Sequence, residues 1–165
     1  MKHFCRFFFL FFFSLCLIAC RAPAQASEIL HAMIDSQPDL PAGTTYRKDA
    51  SLGEDGHVDN ELLSVLYGNG TLPPEFEFIN DFAIHLSSFA EPYELAVFHC
   101  VSERDAYDVA RMCLKRTQRL AISCRETEFT TLVDNAQVTI HGKYVLIAVC
   151  DDPQSAIEAG QRASR

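Results

Sequence analysis

Cys20 is the residue of this chain whose neighbours specify a chemical modification. It follows Leu17, Ile18 and Ala19, and this Leu-Ile-Ala-Cys run has the pattern of a lipobox. In a lipobox the small residue fits the peptidase, and the cysteine thiol receives a diacylglyceryl group before the chain is cut on its amino side. Two acyl chains make a stable membrane anchor, whereas one binds marginally. The sequence therefore predicts that Cys20 is the lipidation site and the first residue of the mature protein.

The residues before Cys20 have the layout of a signal peptide. Lys2 and Arg6 form a short positive region, and the uncharged apolar stretch 7–18 follows. A bilayer span needs about 20 residues, so this stretch is too short to cross comfortably. Two alternatives stay open: cleavage by a general signal peptidase after the A-x-A sites 22–24 or 24–26, and a leader that is kept as an anchor. We favour the lipobox because its pattern ends directly on the apolar stretch.

Four further cysteines follow the lipobox: Cys100, Cys113, Cys124 and Cys150. An even number outside the cytoplasm is typical of disulfides. Cys113 falls on the buried stripe of a predicted helix, where a free cysteine behaves as a small hydrophobe. Cys100 and Cys150 end corresponding predicted strands and can meet only if those strands are neighbours. We favour four unpaired thiols, with a Cys100–Cys150 disulfide as the alternative.

The histidines and the known catalytic motifs point to no reaction. His85 and His99 can face each other across a predicted hairpin, with Asp81 beside them, but a metal site needs three or four ligands. The chain contains no C-x-x-C, H-E-x-x-H, G-x-S-x-G, P-loop or G-x-G-x-x-G motif. We therefore expect no cofactor, no metal and no catalytic residues, and we interpret the two histidines as surface residues.

Basic residues gather on one helix of an otherwise acidic chain. The chain has 14 basic and 22 acidic residues, and two of the basic ones belong to the leader. Such a chain does not suit nucleic-acid binding, which needs clustered positive charge. Four cations nevertheless share one face of the predicted helix 102–121, opposite its apolar stripe: Arg104, Arg111, Lys115 and Arg119. A solvated face is the ordinary interpretation; an interaction face against an anionic membrane surface or a wall polymer is the alternative.

The elements that position these residues follow from periodicity and turn signals. Residues 1–19 are expected to be the signal peptide, 20–27 the lipidated cysteine and tether, and 28–165 a single domain. A polar, Pro- and Gly-rich loop is predicted for 36–56. We predict helices at 28–35, 59–67, 102–121 and from 152, and strands at 76–87, 93–101, 136–141 and 143–150.

The order strand-strand-helix occurs twice in the predicted domain. A shift of 50 positions aligns Cys100 with Cys150 and Ala106 with Ala156, which suggests a repeated unit, although any small domain of this class can show such an order by chance. Two units of this kind predict an α+β fold: a mainly antiparallel sheet with the helices on one face.

Three segments resemble a known family. They are the "ELLSVLYG" segment, the "YELAVFHCVSERDAYDVARMCLKR" segment and the "LVDNAQVTIHGKYVLIAVCDDPQSAIEA" segment. Together they resemble the lipoproteins of the domain of unknown function family 4358, over nearly the whole part after residue 28. The resemblance implies a lipobox-bearing protein with a small globular domain, of a kind found mainly in Gram-positive bacteria. The family has no assigned activity, so no functional residue is carried over.

These observations predict a lipoprotein at the cell membrane that faces the extracytoplasmic side. We expect its domain to be a non-enzymatic binding or scaffolding module, with the membrane, a wall polymer or a protein as partner and no nucleic acid. A small surface enzyme or thiol-dependent factor, and an accessory subunit of a transport or export system, are the alternatives.

Overall fold

A computed structural model describes residues 22–87 and 91–165 of the chain. Its helices are α1 (Ala26–Asp35), α2 (Asn60–Tyr67), α3 (Glu103–Ser123), α4 (Thr130–Asp134) and α5 (Pro153–Ala163). Its strands are β1 (Gly43–Arg47), β2 (Ile79–Ser87), β3 (Glu94–Cys100), β4 (Gln137–His141) and β5 (Tyr144–Val149), and a 3-10 helix covers Pro74–Phe78. The lipobox and its leader lie outside the described residues.

The five strands form one sheet in the order β1-β2-β3-β5-β4. All four strand pairs are antiparallel. The central pair aligns Glu94 with Val149 and His99 with Tyr144, so the start of β3 lies beside the end of β5. The predicted α+β class and the antiparallel sheet are confirmed.

The predicted placement of the helices on one face is wrong, because helices cover both faces of this sheet. Alternate residues of β3 belong to two separate apolar cores: Ala96 and Phe98 face α2 and α3, whereas Leu95 and Val97 face α1 and α5. β5 divides in the same way, and every one of its residues is buried. A strand that is buried on both sides must be apolar at consecutive positions, which explains the unbroken run "YVLIAV".

The prediction of a repeated structural unit is also wrong, although the order strand-strand-helix does occur twice in the chain. The two hairpins meet through β3 and β5, which are neighbouring antiparallel strands. Two repeats joined in this way would be related by a twofold axis perpendicular to the sheet. Such an axis would place both helices on the same face. Instead α3 packs on one face and α5 on the other. The proposed partners Cys100 and Cys150 likewise belong to opposite cores. The shared order is therefore not a structural repeat.

The predicted helix starts are confirmed by their capping side chains. Asp59 accepts a hydrogen bond from the Leu62 amide, Ser102 from the Asp105 amide, and Asp152 from the Ser155 amide. Each cap satisfies an amide that the first helical turn leaves without a partner. α1 begins at Ala26, two residues before the expected domain boundary, and Ala26 is fully buried.

Helix α5 can approach α1 closely because Gly160 has no side chain. A Cβ placed on Gly160 would lie 3.0 Å from Met33 Cγ and 3.1 Å from Leu146 Cδ1. Gly160 therefore lets α5 pack directly on Met33 of α1 and on the sheet beneath.

Three elements differ from the sequence prediction. β1 lies in a segment predicted as loop, α4 was not predicted, and residues 76–78 are 3-10 helix rather than strand. β1 is an edge strand whose residues are exposed or half-buried, so it carries no apolar alternation. Pro73 and Pro74 favour the tight helical turn that precedes β2.

Candidate functional site

A buried ion pair joins the start of β3 to the middle of α3. Arg116 Nε donates to Glu94 Oε2 at 2.9 Å, and the Tyr67 hydroxyl donates to Glu94 Oε1 at 2.7 Å. The side chain of Glu94 is 1% exposed and that of Arg116 is 17% exposed. Both carboxylate oxygens therefore have a donor, which is the condition for keeping a charge inside a protein.

The elements hold these three groups with little freedom. Glu94 opens β3, Tyr67 ends α2, and Arg116 lies in α3. The ring of Tyr67 contacts Phe98 edge-on at 5.4 Å between centroids, and Phe76 at 6.0 Å. These aromatic contacts fix the ring and so aim its hydroxyl at Glu94.

Burial and the ion pair shift the neighbouring pKa values. Burial, with Glu94 as the next cause, raises the pKa of Tyr67 well above its ordinary value. Burial, the largest single cause, lowers the pKa of Arg116, but the raising effects of Glu94, Tyr67 and Cys124 together outweigh it and the pKa rises. At neutral pH Tyr67 is therefore a neutral donor and Arg116 is a cation.

A cavity of about 700 Å³ opens beside Arg116. We name it the distal cavity; it lies where β2 ends and β3 begins, between the β1–β2 edge of the sheet, α2 and the last turns of α3. Its lining is mainly apolar and includes Tyr46, Leu62, Leu66, Leu86, Arg116 and Leu120. A concave, mainly apolar site with a few well-placed polar groups is the usual form of a small-molecule site.

Arg116 is the cation that lines the distal cavity, and Glu91 is the acid that lines it. Only its Nε is hydrogen-bonded within residues 22–87 and 91–165, and the one buried side-chain polar atom there without a partner belongs to His85. The Nη groups of Arg116 are therefore not fully buried, and the residue lines the cavity. A guanidinium held in this way can bind a carboxylate or phosphate with two parallel hydrogen bonds.

The predicted interaction face on α3 is only partly free. Arg104, Arg111 and Lys115 are exposed, but Arg111 pairs with Asp108 one turn away. Arg119 donates to the Leu66 carbonyl oxygen at 2.6 Å and so joins α3 to α2. Within the described residues, Arg104 and Lys115 are the members of this set without a protein partner. An interaction role for this face stays a prediction.

The alternative prediction of a Cys100–Cys150 disulfide is wrong, because all four described cysteines are free thiols. β3 and β5 are antiparallel, so Cys100 at the end of β3 and Cys150 after β5 lie at opposite ends of the sheet, about 20 Å apart. Burial raises the pKa of each of these two thiols to about 12. They are therefore protonated at neutral pH and poor nucleophiles.

The histidine prediction is half correct. Asp81 lies directly opposite His99, but His85 pairs with Leu95 at another point of the hairpin. His85 is buried, its Nδ1 lies 3.0 Å from Thr45 Oγ1, and its Nε2 has no partner. The interpretation of both histidines as surface residues is therefore wrong for His85. No group of three potential metal ligands converges in residues 22–87 and 91–165.

Glu94 and Arg116 were missed by the sequence analysis although both carry a signal. Glu94 interrupts an apolar strand, and Arg116 borders the apolar stripe of α3 next to Cys113. A lone acid in a buried strand needs a cation or a donor nearby. The sequence does not reveal that these two residues meet, because that depends on how α3 packs over β3.

Comparison of the chain with protein-family models, with curated proteins and with solved structures finds no match. The family resemblance stays a prediction.

None of the helices described for residues 22–87 and 91–165 is both long enough and apolar enough to cross a membrane.

Proposed function

We propose that the protein is an extracytoplasmic binding module that Cys20 anchors to the membrane. Its distal cavity takes a small ligand with an apolar body and an acidic group. The observation that carries the proposal is Arg116, a cation whose Nε is fixed by Glu94 and which lines a mainly apolar cavity.

The chemistry of the cavity selects this class of ligand. Apolar surface contributes about 25 cal/mol for each Å² of ligand surface that it removes from water. A charged hydrogen bond to Arg116 adds discrimination for an anion. The guanidinium is already ordered by Glu94, so binding loses little side-chain entropy.

The described thiols give little support to the alternative of a thiol-dependent factor. Burial raises the pKa of Cys113 well above its ordinary value, as it does for Cys100 and Cys150. Cys124 lines the distal cavity near Arg116, but within the described residues its thiol makes no hydrogen bond to a base. A binding role therefore fits this site better than a redox role.

Two related dyes test the binding site. Anilinonaphthalene sulfonate carries an anionic group, and phenylnaphthylamine has the same aromatic body without that group. We expect the sulfonate to bind at one saturable site and more tightly than the neutral dye. In the double variant Glu94→Gln/Arg116→Met, which keeps an acceptor for Tyr67, the preference for the sulfonate should disappear while the neutral dye still binds.

A charge at the rim provides a second variant and its control. Val65 lines the cavity and is 61% exposed, whereas Leu52 is 87% exposed and lies elsewhere. Val65→Asp should weaken sulfonate binding, and Leu52→Asp should leave it unchanged. Equal binding of both dyes to the wild type, or equal effects of the two substitutions, would contradict the proposed site.

Metabolic labelling tests the anchor separately. A fatty-acid probe should label the wild type and not Cys20→Ser. Labelling of both to the same extent would reject Cys20 as the lipidation site and leave the cavity proposal standing.

A further inference from the structure

A row of polar side chains crosses the end of the sheet that is opposite the distal cavity. Cross-strand pairing aligns Asp81 of β2 with His99 of β3, His99 with Tyr144 of β5, and Tyr144 with His141 of β4. The rings of His99 and Tyr144 stack with centroids 4.7 Å apart. We call this the tether end of the sheet.

The segment that follows the lipobox runs across this row. The Tyr144 hydroxyl donates to the Ala24 carbonyl oxygen at 2.8 Å, and the Ala26 amide donates to Asp81 Oδ2 at 2.9 Å. These two bonds fix the course of the chain where it enters α1. Cys20 precedes Ala22 by two residues in the chain.

A cavity of about 450 Å³ lies beside this segment, and we name it the tether pocket. Ala22 and Ala24 line it together with four groups that are cations or titratable bases: His99, His141, Lys143 and Arg165. This concentration of basic groups contrasts with the net charge of −8 of the chain. The acid of the row, Asp81, already accepts the Ala26 amide.

We propose that the tether pocket binds the phosphate of an anionic phospholipid headgroup in the membrane that holds the anchor. The inference rests on the proposed lipidation of Cys20, because that attachment brings the pocket to the headgroup layer. Anionic lipids attract basic side chains at the surface and do so only within about 10 Å. Linkage through Cys20 also raises the local concentration of headgroups at the pocket far above that in solution.

The arrangement suits a headgroup better than a free ion. Lys143 lies in the β4–β5 turn and is exposed, where it can reach a phosphate at a membrane surface. The apolar side of the pocket, formed by Ala22, Pro23 and Ala24, can contact the glycerol portion of a lipid. The stacked rings of His99 and Tyr144 also line the pocket.

Hydrogen exchange of the lipidated protein in nanodiscs tests the proposal. One preparation uses phosphatidylcholine alone and the other adds phosphatidylglycerol. We expect the amides of the β4–β5 turn, residues 141–144, to exchange about fivefold more slowly with phosphatidylglycerol, the equivalent of one cation at an anionic surface. Lys143→Gln should abolish most of this difference.

Matched controls identify the source of any protection. Lys115→Gln removes the same charge from α3, on the other face of the sheet, and should keep the full difference. Equal exchange in both nanodiscs, or an equal loss in Lys115→Gln, would overturn the headgroup site. Protection by inorganic phosphate in phosphatidylcholine nanodiscs to the same extent would overturn the lipid as its occupant.

The anchor and the headgroup site fail in distinguishable ways. A wild type that does not enter nanodiscs of either composition contradicts the anchor on which the site rests. A wild type that enters both, and whose turn exchanges at the same rate in both, contradicts only the headgroup site.

Discussion

The two ends of the sheet handle charge in opposite ways. At the distal end, one acid and one cation are buried together, and Glu94 is 1% exposed. At the tether end, basic groups surround an open pocket and the acid Asp81 is used to hold backbone. A buried charge needs a paired and hydrogen-bonded partner because its removal from water costs free energy, whereas an exposed charge is stabilised by water without a protein partner. The distal end therefore holds a rigid ion pair whose cation also lines a cavity, and the tether end offers exposed cations to another molecule.

The largest effect should appear when the buried acid of the distal end is removed. Glu94→Ala leaves the Arg116 cation and the Tyr67 hydroxyl without their acceptor, and we expect a loss of about 3–5 kcal/mol in the free energy of unfolding. Asp108→Ala, which breaks the exposed pair with Arg111, should cost about 1 kcal/mol or less. Urea denaturation measures both. Similar losses of unfolding free energy in the two variants would show that the Glu94–Arg116 pair contributes no more to stability than an exposed ion pair does.

A pair of tyrosine substitutions compares the same chemical change at both ends. Tyr67→Phe leaves a buried carboxylate oxygen without its donor and should cost about 1.5–3 kcal/mol. Tyr144→Phe removes a bond to a neutral carbonyl and should cost about 1 kcal/mol.

The second substitution has a local signature as well. Tyr144→Phe should speed amide exchange in residues 24–26, while Tyr67→Phe leaves that segment unchanged. The comparison fails if Tyr144→Phe is the more destabilising of the two, or if both variants loosen the tether equally.

The pH dependence of stability should contain a contribution from each of two histidines. Burial is the largest cause that lowers the pKa of His85 and of His99; the nearby Asp81 partly offsets the shift of His99, and Lys143 adds to it. The unfolded chain therefore takes up protons near pH 6.5 that the folded chain does not. Their contribution is fully present above that pH and is lost as the pH falls through it toward the lower folded-state values.

Glutamine substitutions separate the two contributions. In His85→Gln and in His99→Gln, the loss of unfolding free energy between pH 7 and pH 5 should be smaller than in the wild type. Urea denaturation at the two pH values measures it. If both variants lose as much unfolding free energy between pH 7 and pH 5 as the wild type does, the histidines do not cause the pH dependence.

The sequence predicted the elements that carry a local signal. The helices that begin near residues 59, 102 and 152 and the paired strands 136–141 and 143–150 were predicted because each depends on residues close together in the chain. The placement of helices on both faces of the sheet was not predicted, although the unbroken apolar run of β5 is typical of a strand that is covered on both sides.

The parts that the sequence did not predict depend on contacts between distant segments. The pairing of Glu94 with Arg116 requires α3 to cross β3, and the row from Asp81 to His141 requires the register of four strands. Cys20 is the reverse case. Its chemistry is read from four adjacent residues, and the structure describes none of them.

The central proposal is that the tether end faces a bilayer and the distal end faces away, and the orientation of the lipidated protein in vesicles tests it. A fluorophore is attached at Arg162→Cys, near the C-terminal end of α5, or at Arg125→Cys, each in a Cys124→Ser background. Both positions are exposed cations, neither of them lines the tether pocket, and the remaining described thiols are buried. In vesicles that contain headgroup-quencher lipids, the lipidated protein should show strong quenching at position 162 and little at position 125. Equal quenching, or stronger quenching at 125, would contradict the account.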